Sequence, residues 1–189
     1  MVIPATSRRD FLKTSFLGMG SVMMLPSCLK NYTPWQFFSE EEAVCMEAIC
    51  EQIIPADAHG PGARYAGVIF YIDKQLDEVF TGDQQHYRDG LAAIQQSAMS
   101  MHRLPFEALE FDQQTRFLEQ MESNTLPGAH WSDRLPQSSL FSKMIDHSMQ
   151  GFYGSPRHGG NRNYISYKIM NLDYPYIVGQ NRYRDSGNN

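Results

Sequence analysis

Residues 39–55, SEEEAVCMEAICEQIIP, contain one helix from start to stop. Ser39 followed three residues later by Glu42 is a capping box: the hydroxyl takes a backbone N–H of the first turn and the carboxylate reaches back. Glu40, Glu41 and Glu42 place negative charge at the positive end of the helix dipole. Cys45, Ile49 and Ile53 then recur at helical spacing. Pro55 has no N–H to donate and ends the run. Beyond it, Asp57-Ala58-His59-Gly60-Pro61-Gly62 is a loop by composition.

The same period continues downstream. It predicts a helix over residues 63–80, with Tyr65, Ile69, Ile72, Leu76 and Val79 on one face. A third, over about residues 83–102, carries Tyr87, Leu91, Ile94, Ala98 and Met101. Asp112 caps a fourth, with Phe117, Leu118 and Met121, and Pro127-Gly128 breaks the chain after it. A fifth, over about residues 137–152, presents Leu140, Phe141, Met144, Ile145, Ser148 and Phe152. No run of 4–8 residues alternates as a half-buried strand does. The expected fold is all-α, about five helices in a compact irregular bundle. A glycine- and tyrosine-rich C-terminal loop segment follows, beginning with residues 154–163 and continuing through Tyr164, Tyr167, Tyr174 and Tyr176.

Composition narrows the function classes. The chain has 189 residues, 16 Lys and Arg against 21 Asp and Glu, and a formal charge of −5. That balance offers no basic field for nucleic acid. Aromatic residues at 12% argue against a chain too polar to order itself. No stretch approaches the ~18 consecutive apolar residues of a membrane-spanning helix.

The first 28 residues read as an address. Ser7-Arg8-Arg9-Asp10-Phe11-Leu12-Lys13 precedes an uncharged segment over residues 14–25. A charged segment, a short apolar segment and a small residue before a cut is the grammar of export. Arg8 and Arg9 followed by Phe11 and Leu12 match the twin-arginine signal. Leu25-Pro26-Ser27-Cys28 is similar to a lipobox, which would make Cys28 the lipidated first residue; ordinary cleavage beside an incidental cysteine is the other reading. The chain divides into a signal (1–27), a tether (28–38) and a helical domain (39–189). Export by the twin-arginine route to the periplasm, with a membrane anchor through Cys28, is the expected location. Cys45 and Cys50 lie about 140° apart around one helix, at ~100° per residue, a poor geometry for a disulfide.

No catalytic set emerges. His59, His86, His102, His130, His147 and His158 form neither H-x₃-H nor H-E-x-x-H, so no metal site is expected. Asp146 and His147 are adjacent, and His147 reads as a surface or capping group. Asp57 and His59 share a loop, where structuring the turn outweighs an acid–base role. The glycines around Arg157 and Arg162 fit neither phosphate-cradling pattern, so no cofactor site is expected in this chain.

Three strings carry a resemblance. The first is Ile53-Ile54-Pro55-Ala56-Asp57 with Gly60-Pro61-Gly62-Ala63-Arg64-Tyr65-Ala66-Gly67-Val68; the second is Tyr71-Ile72-Asp73 with Leu76. The third is Gly151-Phe152-Tyr153-Gly154-Ser155-Pro156-Arg157-His158-Gly159-Gly160-Asn161, with His158 in place of a tyrosine; further on, Tyr167 replaces a tryptophan. Together they resemble the gluconate 2-dehydrogenase subunit 3 family, small subunits of membrane-associated, FAD-dependent sugar and sugar-acid dehydrogenases. The resemblance implies a non-flavin helical partner that binds, helps mature and co-exports a flavoprotein of the glucose–methanol–choline type. That complex would act on gluconate or position 3 of a glycoside. FAD would sit in the large subunit, and electrons would leave to a cytochrome c or other acceptor. Gly154, Pro156, Arg157, His158, Gly159, Gly160, Asn161, Tyr164 and Tyr167 are the expected partner interface, against the alternative that they cover their own bundle. A lipid-anchored binding or structural protein without a redox partner is the rival reading.

Overall fold

A computed structural model describes residues 34–128 and 130–172. The signal residues Arg8, Arg9, Phe11 and Leu12, the lipidation candidate Cys28, and Tyr174 and Tyr176 lie outside the described residues. The described chain is helical: α1 (Glu40–Ile53), α2 (Ala63–Ala66), α3 (Val68–Glu78), α4 (Gln84–His102), α5 (Phe111–Glu122), α6 (Gln137–Tyr153) and α7 (Ile165–Ile169). Short 3₁₀ turns occupy Thr81–Asp83, Phe106–Ala108, Pro156–His158 and Arg162–Tyr164. No strand forms among the described residues, only isolated bridges at Asp57/Gly60 and Ser132/Leu135. None of the described helices is long and apolar enough to cross a membrane.

Helix α1 starts as its sequence dictates. Glu42 N–H donates to Ser39 Oγ at 3.2 Å, and Ser39 N–H donates to Glu42 Oε2 at 2.8 Å. Cys45, Met46 and Ile49 are fully buried, and α1 packs against α3, α4, α5 and α6. Cys45 and Cys50 are free and buried, and burial pushes the Cys50 thiol up to about 12.

Among the described residues, seven helices replace the expected five for two physical reasons. The predicted 63–80 helix breaks at Gly67, which adopts a left-handed φ of 69°. Only glycine takes that conformation at low cost, and a Cβ there would stand 2.6 Å from Arg162 Nε. The C-terminal segment adds α7. The break also explains which apolar positions were misplaced. Tyr65 precedes Gly67, does not share the axis of α3, and is 58% exposed. Val79 lies past the last turn of α3 and Met101 in the last turn of α4, and both are exposed. Helix α5 is capped at Glu110, whose N–H donates to Gln113 Oε1, and Asp112 falls inside its first turn.

The chain ahead of α1 is fastened by one carboxylate. Asp73, on α3 and 2% exposed, accepts the N–H groups of Gln36 (2.8 Å), Phe37 (3.0 Å) and Phe38 (2.9 Å). The Phe37 and Phe38 rings are buried in the core. Arg88 reaches over from α4, its guanidinium 4.3 Å from the centre of the Phe37 ring and its Nη2 donating to the Phe37 carbonyl. Its other nitrogen pairs with Glu42. Trp35 stacks on Phe70 with ring centres 5.0 Å apart.

Candidate partner interface

The loop from α6 to α7 is folded back on the bundle, and its own side chains hold it there. Gly151 on α6 presents bare backbone between Tyr71 and Val68. Gly160 lies directly over the Gly151 carbonyl, so close that a Cβ would overlap its oxygen. Asn161 is fully buried: its Nδ2 donates to the Gly154 carbonyl at 2.8 Å and its Oδ1 accepts Ser166 N–H at 3.0 Å. One side chain therefore ties the end of α6 to the start of α7. An asparagine can do this because its amide offers a donor and an acceptor on opposite sides. Asn161, Asn163 and Tyr164 all sit at positive φ, a conformation asparagine adopts more readily than most residues.

The three strings that carry the resemblance meet at this junction. Arg162 lays its guanidinium 4.1 Å from the centre of the Phe70 ring and packs against Gly67. Gly159 rests its backbone against the Phe70 carbonyl. Ile169 on α7 covers Gly60, which closes the tight turn begun at Asp57. Of the predicted interface residues, Gly160 and Asn161 are thus buried within their own chain. Gly154, Pro156, His158, Gly159, Tyr164 and Tyr167 are half-buried, and Arg157 is exposed. Arg157 Nε donates to His158 Nε2 at 2.9 Å, and the Tyr164 and Tyr167 rings lie 6.1 Å apart. Ile169, Met170 and Leu172 add exposed apolar surface.

The remaining candidates are placed elsewhere. Asp57 Oδ1 accepts the N–H groups of His59 and Gly60, so its carboxylate structures the turn. His147 is neither a surface nor a capping residue. It is 6% exposed, its Nδ1 is 2.8 Å from Tyr87 Oη, and its ring stacks on Phe80 at 4.4 Å. Adjacency to Asp146 suggested solvent, but position 147 falls on the face of α6 that carries Leu140 and Met144. An open groove of about 630 Å³ runs along α4, bordered by His86, Asp89, His130 and Arg134 as well as Ala92, Ala93 and Leu135. No group of three His, Cys, Asp or Glu side chains among the described residues is placed to hold a metal ion.

Burial holds the proton affinity of His147 below its ordinary value near 6.5, with Lys143 adding to the effect and Asp83 and Asp146 opposing it. The unfolded chain then binds this proton more readily than the folded one, so stability is full above that value and falls as pH drops below it. Unfolding free energy measured by denaturant across pH 7.5 to about 5 should decline in the wild type. His147→Gln should remove that component of the slope.

The sequence alone did not disclose the anchoring role of Asp73, the contact of Arg162 with Phe70, or the clasp made by Asn161. The one signal for the first was a charged residue inside an apolar helical stripe, Tyr71-Ile72-Asp73. Comparison with known proteins adds one match: the sequence model described as Gluconate 2-dehydrogenase subunit 3 covers residues 40–173. No curated protein and no solved structure matches the chain.

Proposed function

Starting from the chain's membership of the gluconate 2-dehydrogenase subunit 3 family, we propose that it binds, helps mature and co-exports a flavoprotein dehydrogenase of the glucose–methanol–choline type. The family places it as an accessory subunit of a dehydrogenase complex whose larger subunit is catalytic. One observation supports a subunit role for the whole bundle. The match runs from α1 through α7, so it takes in the whole bundle together with the clasped loop at its C-terminal end.

Flavin belongs to the larger subunit in this reading, and the glycine loop gives a physical reason. A nucleotide pyrophosphate needs backbone N–H groups converging on open space. Here the Asn161 side chain fills the inside of the loop, and Gly160 is pressed on the Gly151 carbonyl. The loop does not fit a flavin nucleotide. The flavin of the partner would take hydride from a sugar hydroxyl and pass electrons to a cytochrome c or other acceptor. This chain would supply surface, position and the export address.

Two experiments test the role. Changing Arg8 and Arg9 together to Lys should leave both this chain and its flavoprotein in the cytoplasm, as read by fractionation. Normal export of the pair would contradict a twin-arginine address, and a lipid found on Cys28 by mass spectrometry would place the pair at a membrane in the periplasm. Binding itself is tested by Tyr164→Ala with Tyr167→Ala. Tyrosine is prominent among the residues that dominate binding energy, so association with the flavoprotein should weaken by more than about 2 kcal/mol. Both rings are only half-buried, so the melting temperature of the free subunit should hardly move. A large loss of melting temperature with normal binding would assign these rings to the bundle.

A further inference from the structure

The exposed rim of the clasped loop is basic, in an acidic chain. Residues 147–172 contain no Asp or Glu and include Arg157, Arg162 and Lys168, in a chain whose formal charge is −5. Among the described residues, four cations elsewhere pair with carboxylates of their own chain: Arg64 with Glu47, Lys74 with Glu78, Arg88 with Glu42 and Lys143 with Asp83. Arg103, Arg116 and Arg134 do not, but neither are they held by a neighbouring ring as the loop arginines are. Arg157 and Arg162 make no such pair either. The first bonds to His158, and the second lies on the Phe70 ring. Each guanidinium is thereby oriented, and no carboxylate of the described residues pairs with it.

We propose that Arg157 and Arg162 dock onto an acidic patch of the flavoprotein, forming the charged rim of the interface centred on Tyr164 and Tyr167. The inference rests on the proposed role and names the chemistry of the surface that meets it. Four features favour a carboxylate cluster on a protein. The turns carrying the two arginines, Pro156–His158 and Arg162–Tyr164, pack on each other and so present their charges from one rigid unit. A guanidinium is a planar fork that matches carboxylate geometry bidentately. Holding the forks in place before contact reduces the ordering cost of binding. Half-buried tyrosines and exposed Ile169, Met170 and Leu172 beside a polar rim are the anatomy of a protein interface. An anionic bilayer is the weaker candidate, because headgroup attraction uses clusters of roughly 4–8 mobile basic side chains. This segment has three.

The test uses the complex captured through the full-length tagged chain from its native host, washed over a rising series of sodium chloride. Four variants are compared with the wild type: Arg157→Gln with Arg162→Gln, Arg157→Glu with Arg162→Glu, Arg157→Glu alone, and Lys74→Gln as a charge control outside the loop. The salt concentration that releases half of the flavoprotein should fall for the glutamine pair. The glutamate pair should retain about tenfold less flavoprotein than wild type at low salt, because repulsion replaces attraction. Lys74→Gln should behave as wild type. Because Arg162 also packs on Phe70, Arg157→Glu alone, which gives up only a bond to His158, should melt with the wild type and still retain less flavoprotein. Wild-type retention by the glutamate pair at every salt concentration would overturn the acidic patch while leaving the accessory role intact. Absence of flavoprotein from the wild-type capture would remove the role and this inference together. If the variants lose binding to phosphatidylglycerol vesicles but keep the flavoprotein, the rim faces lipid and the proposal fails.

Discussion

Asp73→Asn is expected to lower the unfolding free energy by about 2 kcal/mol, and Asp73→Ala by about 4 kcal/mol. The carboxylate is buried on α3 and satisfies three backbone N–H groups, those of Gln36, Phe37 and Phe38. Bonds to a charged acceptor are roughly twice as strong as neutral ones. Asparagine keeps the shape but turns one oxygen into a donor. With its oxygen in the Oδ1 position it still serves Phe37 and Phe38, but its amide nitrogen then faces the N–H of Gln36. Alanine leaves all three donors without this acceptor and takes the grip off two buried phenylalanines. Denaturant unfolding measures the loss, and hydrogen exchange at residues 36–38 localises it. Unchanged stability with unchanged protection would show that the segment ahead of α1 is held by its rings alone.

Gly160→Ala is expected to cost about 3 kcal/mol of stability and to weaken flavoprotein association by at least about tenfold. The added methyl would occupy the place of the Gly151 carbonyl oxygen, and that oxygen belongs to a helix packed on α3. Neither side can move as a flexible side chain would. The loop must lift, taking with it Asn161 and its two buried hydrogen bonds. Asn161→Ala is the companion variant: it removes the clasp without any overlap, and the same loss of association would assign the effect to loop conformation. A Gly160→Ala protein that melts with the wild type would mean that the loop is not seated on α6.

The contrast between these two sites and the helices shows what could be read ahead of the structure. Periodicity located α1, α4, α5 and α6, because burial of Ile49, Leu91, Phe117 and Leu140 repeats every three or four residues, as a helix face does. The same signal ran unbroken through Gly67, since a helix and its continuation after a left-handed residue carry the same kind of apolar stripe. Tyr65 was therefore assigned to a face it does not share. The capping box at Ser39 is local and was legible. The anchor at Asp73 is not local: its donors lie 35 to 37 residues earlier in the chain. Composition identified the loop after α6, and the resemblance marked Gly160 and Asn161. That Gly160 meets Gly151, and that Asn161 bridges α6 to α7, depends on how the chain returns to the bundle. His147 failed for a related reason, because a polar residue on an apolar helix face is satisfied by Tyr87, 60 residues away.

The most direct measurement of the accessory role is the visible spectrum of the material captured through this chain from its host, set beside that of the chain produced without any partner. The account predicts an oxidised-flavin spectrum and sugar-dependent dye reduction in the captured material, carried by a second, larger polypeptide, and neither property in the chain produced alone. Flavin bound to the chain alone, or a colourless captured chain without a larger polypeptide, would contradict it.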